Sequence, residues 1–102
     1  MKKDGMYYNQ LGQMLSADLQ VMAMVYDYNI QGKPIWFSKL VELFKGNITK
    51  SDISKAQDRL YDLGLLFTEY KDVDGFWTCC WFIEDEGKHF IDSIISDVKQ
   101  ED

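Results

Sequence analysis

The chain has 102 residues, 46% of them apolar and 15% aromatic, and Pro34 is its only proline; this excludes a disordered chain and fits one domain with a modest core. A net charge of −6 argues against a general nucleic-acid binder, which would be basic, and no apolar run approaches the length of a membrane span. The opening MKKDGMYYNQ has no apolar signal core, so the expected location is the cytoplasm.

Beyond a polar N-terminus expected to fray, residues 14–28 predict a helix opened by Ser16 or its immediate predecessors, with Leu15, Leu19, Met22, Ala23 and Tyr26 as its apolar stripe. Gly32 and Pro34 in NIQGKP break that pattern. A short helix follows, expected to be capped by Ser38 and closed at Gly46, with Leu40, Val41 and Phe44 inward and Lys39, Glu42 and Lys45 outward. Residues 46–49 form a turn.

The segment NITKSDISKAQDRLYDLGLL carries the most information. Thr49 and Asp52 have the spacing of a capping box, which starts a helix near Lys50. Ile53, Ala56, Leu60 and Leu63 recur at steps of three and four, one stripe at 3.6 residues per turn, while Lys50, Ser51, Ser54, Lys55, Asp58 and Arg59 point elsewhere. Gly64 can take the left-handed conformation that ends the helix, and β-favouring residues follow.

Strands are expected over 65–73 and 76–83, with turn chemistry in Asp72-Val73-Asp74-Gly75. Phe76, Thr78, Cys80 and Phe82 share one face of the second strand, and Trp77, Cys79, Trp81 and Ile83 the other, so both faces carry apolar bulk. A last helix from Asp85 to about Lys99 begins among Glu84, Asp85 and Glu86, charges that suit a helix N-terminus. Its stripe is Phe90, Ile91, Ile94, Ile95 and Val98.

Charge is unevenly placed. Residues 1–32 carry two lysines against three aspartates, net −1; residues 33–59 carry five lysines and Arg59 against three carboxylates, net +3; residues 60–102 carry three lysines against eleven carboxylates, net −8. The basic third covers most of the two helices of 37–63, where phosphate contacts would be needed. Adjacent Cys79 and Cys80 cannot form an ordinary disulfide with each other and lack metal or redox spacing; ordinary packing is the leading reading, with a redox-sensing thiol the other. His89 is the sole histidine, read as a surface position, and no nucleophile has a base nearby in sequence, nor is there a phosphate-cradling glycine loop; no enzyme, cofactor or metal is expected.

With its order of three helices, two strands and a helix, the chain resembles winged-helix transcription regulators of the MarR and PadR kind. FSKLVELF looks like the first helix of their motif, SDISKAQDRLYDLGLL like the recognition helix and its exit into a strand, and FIEDEGKHF like the strand end and following helix start. The resemblance implies an α+β winged helix-turn-helix over 1–102: a three-helix core with the motif at about 37–63, a two-stranded wing at about 65–83 and a C-terminal helix at about 85–99. It further implies a DNA-reading face of Lys50, Ser51, Ser54, Lys55 and Arg59, with Lys39 and Lys45 on flanking phosphates. Two departures stand out. Asp52 replaces the family's usual neutral polar residue, and the wing loop from Lys71 to Gly75 holds two carboxylates where members often carry arginine. A homodimer is implied because one recognition helix contacts only a few base pairs. Tyr7, Tyr8, Leu11, Phe90, Ile91, Ile94, Ile95 and Val98 are the candidate interface residues, together with one of the tryptophan faces of the second strand; the alternative is that they complete the monomer's own core. The implied function is a homodimeric, sequence-specific DNA-binding regulator that acts as a repressor, with double-stranded DNA as partner. The alternative is a protein-interaction winged helix that uses its acidic wing and last helix and does not bind DNA.

Overall fold

In the computed structural model, which describes residues 2–95, the element order is β1 (Lys2–Lys3), β2 (Met6–Tyr7), α1 (Ala17–Ile30), α2 (Phe37–Leu43), α3 (Lys50–Asp62), β3 (Leu66–Val73), β4 (Phe76–Ile83) and α4 (Asp85–Ile94). The described residues form an α+β chain in which β1 pairs with β2 and β3 with β4, both antiparallel. None of its helices is long and apolar enough to cross a membrane.

The N-terminus is not frayed. Asp4 and Gly5 both take positive φ (54° and 79°), a tight reversal that sets Lys3 opposite Met6 and Lys2 opposite Tyr7. Asp-Gly is a strong hairpin signal, and it delivers Met6 and Tyr7 into the core. Gln20 of α1 then serves the edge of β2 as a neighbouring strand would. Its Oε1 accepts from the Tyr7 N–H at 2.8 Å, and its Nε2 donates to the carbonyls of Tyr7 at 2.8 Å and Leu15 at 3.2 Å.

Helix α1 is capped by Ser16, whose hydroxyl accepts from the Leu19 N–H, and so begins at residue 17 and not 14. Every residue from Gln20 to Tyr26 is buried, because β2, α3, β4 and α4 all pack against this helix. The expected stripe was too narrow. Val21, Met24 and Val25 lie off it but are as apolar as the residues on it, which is the pattern of a central helix.

Helix α2 starts one residue before Ser38. Trp36 is its cap residue and offers no side-chain bond, so Ser38 does not cap it. The reason lies just upstream: the Trp81 N–H donates to the Ile35 carbonyl at 2.8 Å and Trp36 bridges Cys80, so residues 35–36 are held extended beside β4. Leu40 and Phe44 are fully buried with Ile53 of α3, each such side chain contributing about 1.5–3 kcal/mol of burial free energy; Val41 is only half-buried. Thr49 caps α3 by accepting from the Asp52 N–H at 3.1 Å. Ile53, Ala56 and Leu60 are buried as expected, but Leu63 is 69% exposed: it follows the last helical residue and has left the stripe.

The β3–β4 ladder runs unbroken from Leu66 opposite Ile83 to Val73 opposite Phe76, closed by Asp74 and Gly75 at φ 53° and 88°. The last helix ends at Ile94, and Ile95 turns extended (φ −133°) and is buried. It is therefore shorter than the expected 85–99; residues 96–102, Val98 among them, lie outside the described residues.

Candidate nucleic-acid interface

Helix α2 ends at Leu43 with Phe44 as its C-cap residue, earlier than the expected Gly46, which instead turns the chain at φ +87° while the N–H groups of Asn47 and Ile48 both donate to the Phe44 carbonyl. After this tight reversal α3 packs its buried stripe against α1, so Lys50, Ser51, Lys55 and Arg59 are exposed and Ser54 is half-buried. The residues expected to read DNA are thus brought to one helix surface, with their cations in different situations.

Lys50 lies over the Phe37 ring, 6.0 Å from its centroid. Lys39 pairs with Glu42 at 3.6 Å, one turn along α2. Lys45 and Lys55 are exposed and have no ion pair among the described residues. Arg59 is engaged in both directions of its fork: its Nε donates to Asp18 Oδ2 at 2.8 Å and its Nη2 to Asp18 Oδ1. That hydrogen bond is the main reason its pKa is raised further. Arg59 is therefore a clasp between α3 and the first turn of α1, a role invisible in the sequence because the partners are 41 positions apart. The Asp52 carboxylate does not return the capping bond to Thr49, so it is an exposed negative charge beside Lys55 in sequence.

The hairpin presents a different chemistry. Its tip carries Asp72, whose Oδ1 accepts from the Gly75 N–H at 2.8 Å, and Asp74, while Lys71 pairs with Glu69 at 3.3 Å and lies over the Phe82 ring. Tyr70 and Trp77 stack at 6.2 Å and stay 57% and 73% exposed; Phe67 stacks on Phe82 at 5.5 Å. Cys80 is buried, which pushes its thiol pKa up, whereas Cys79 is exposed. Between the hairpin and the 32–34 loop lies an open cleft of about 300 Å³ lined by Asn29, Lys33, Pro34, Lys71, Asp72 and Phe82. No group of three His, Cys, Asp or Glu among the described residues could hold a metal.

The candidate interface residues scatter. Tyr7 is fully buried, its hydroxyl donating to Asp27 Oδ2 at 2.7 Å, and Ile91 and Ile95 are fully buried in the same core; these three serve the monomer and are not surface. Tyr8 and Ile94 are half-buried against that core, and Leu11 and Phe90 are exposed.

Comparison of the chain with protein families, with curated proteins and with solved structures yields no match in any of the three.

Proposed function

We propose that this protein is a winged-helix, sequence-specific DNA-binding regulator, a homodimeric repressor of the cytoplasm that docks the N-terminal half of α3 in the major groove. The observation that carries the reading is the exposed Lys50, Ser51 and Lys55, with the half-buried Ser54, on the first turns of a helix joined to α2 by a tight turn and followed by a hairpin. In a helix-turn-helix the N-terminal residues of the second helix meet base edges. Lys45 and Lys55, with no carboxylate partner among the described residues, are the cations freest to neutralise phosphates, and Lys39 must first leave Glu42. The acidic hairpin tip does not suit minor-groove insertion, so α3 does most of the reading.

Anisotropy titrations of labelled duplexes, including the promoter of the protein's own gene, test this. Lys55→Ala should weaken binding and lower the slope of log affinity against log salt by about 1. Failure of the wild type to bind any duplex at low salt overturns the reading. A second reading, a protein-docking winged helix, is favoured by the exposed Tyr70, Trp77 and Phe76 on an acidic hairpin, and that same failure would support it.

A further inference from the structure

The chain covers the Trp81–Ile83 end of one edge of its hairpin and leaves the whole of the other open. Along the outer edge of β4 the Trp81 N–H is taken by the Ile35 carbonyl, the Trp81 carbonyl by Asn29 Nδ2 at 3.3 Å and the Ile83 N–H by Asn29 Oδ1 at 2.9 Å. Along the outer edge of β3 no such partner exists among the described residues. With Val73 and Phe76 flanking a two-residue loop, alternate residues turn their backbone groups away from β4; on β3 these are Leu66, Thr68, Tyr70 and Asp72, the last three forming the stretch used below. The same alternation accounts for Trp81 and Ile83 facing outward on β4. This open edge is eight residues long and has neither a proline nor a bulge, two of the devices that keep exposed edges from pairing.

We infer that the outer edge of β3 pairs antiparallel with the same edge of a second copy of this chain, forming a continuous four-stranded sheet across a two-fold axis at Tyr70. Side-chain chemistry selects the register. An axis normal to the sheet at Tyr70 sets Thr68 against the second copy's Asp72, matching all the outward backbone groups of both strands over this stretch. On one face it sets Glu69 against the second copy's Lys71 and Phe67 against its Val73, each pair occurring twice. On the other face the exposed Tyr70–Trp77 stacks of the two copies meet in one aromatic row. Moving the axis one residue either way places two Glu69 or two Lys71 face to face, which like-charge repulsion disfavours. Within the monomer Glu69 and Lys71 already pair at 3.3 Å, so both charges lie on the face where the exchange takes place. The surface differs from the one expected on the last helix, whose Ile91 and Ile95 are buried at home.

Sedimentation of the full chain without DNA tests this independently of any DNA binding. The wild type should dimerise. Glu69→Lys and Lys71→Glu, each turning both cross-strand pairs repulsive, should each weaken dimerisation by roughly tenfold or more. An equimolar mixture of the two variants should recover the dimer, since Glu69 of one then faces Lys71 of the other and the two substituted side chains face each other with opposite charge. Both variants lose the internal Glu69–Lys71 pair alike, so that loss cannot produce recovery on mixing. Thr68→Pro removes an outward N–H without touching the ladder to β4, and should give a monomer with unchanged far-UV circular dichroism. A wild type that stays monomeric, single variants that dimerise as it does, or a mixture that fails to recover the dimer would each overturn the assignment.

Discussion

At Asp18 the first turn of α1 reaches the proposed reading helix, and its carboxylate occupies the one guanidinium that α3 has. Under the DNA reading, Asp18→Ala releases Arg59 and removes a negative charge from the neighbourhood of the phosphates, so binding should tighten severalfold and its salt slope should steepen. The anisotropy titration reads both, and weaker binding by this variant would show that the clasp orients α3 instead of restraining it. A second residue acts through space it does not fill. A Cβ at Gly87 would stand 2.8 Å from Ile83 Cγ1 and 3.0 Å from the Leu65 carbonyl oxygen. Alanine gains helix propensity there, but the carbonyl cannot yield as a side-chain end could. Gly87→Ala should therefore destabilise by about 1–2 kcal/mol, measured by urea unfolding.

Among the elements, those whose pattern is local were legible in the sequence. Thr49, the Ile53-Ala56-Leu60 spacing and Gly64 place α3 within a residue, and Asp74-Gly75 places the β3–β4 turn. What escaped depends on partners distant in the chain. The extended pair at 35–36 has its reason in β4, and Arg59 has its reason in Asp18. Helix α1 reads as one-sided until four elements are seen to enclose it. The β1–β2 hairpin is a different kind of miss, since Asp4-Gly5 was a usable signal among residues that looked too polar to order. Its anchor is Gln20, an amide standing in for a strand, as Asn29 does beside β4. Gln20→Ala leaves the buried Tyr7 N–H without its partner, while the Tyr7 carbonyl keeps only the Leu15 N–H, and opens a void, which should cost about 3 kcal/mol. Hydrogen exchange gives the specific readout: the Tyr7 amide should lose protection well before amides in the β3–β4 ladder.

For the molecule as a whole, two tyrosine–aspartate bonds fasten the ends of the described chain to its central helix. Tyr7 of β2 donates to Asp27 of α1, and Tyr26 of α1 donates to Asp92 of α4 at 3.1 Å and 3.2 Å. Burial is the first cause, and the carboxylate partner the second, of a raised phenol pKa at both; Tyr26 is pushed up from 10.0 to about 12 and Tyr7 is raised in the same direction. The sign follows from proton affinity. The folded chain holds these protons more tightly than the unfolded one, so their stabilisation is complete below about pH 10 and fades above it, for Tyr26 as the pH rises through about 12. Each phenolate formed in the folded state would sit against a carboxylate and strain the attachment of β2 or α4. Lysines also lose charge in this window, so the wild type alone does not isolate the tyrosines; a paired series does. Urea unfolding of wild type and Tyr26→Phe, from neutral to about pH 11, should show the variant less stable at neutral pH, where it lacks the bond to Asp92, and losing less with rising pH. Parallel curves for the two proteins would mean that Tyr26 ionises alike in the folded and unfolded chain, and that the attachment of α4 is indifferent to its proton.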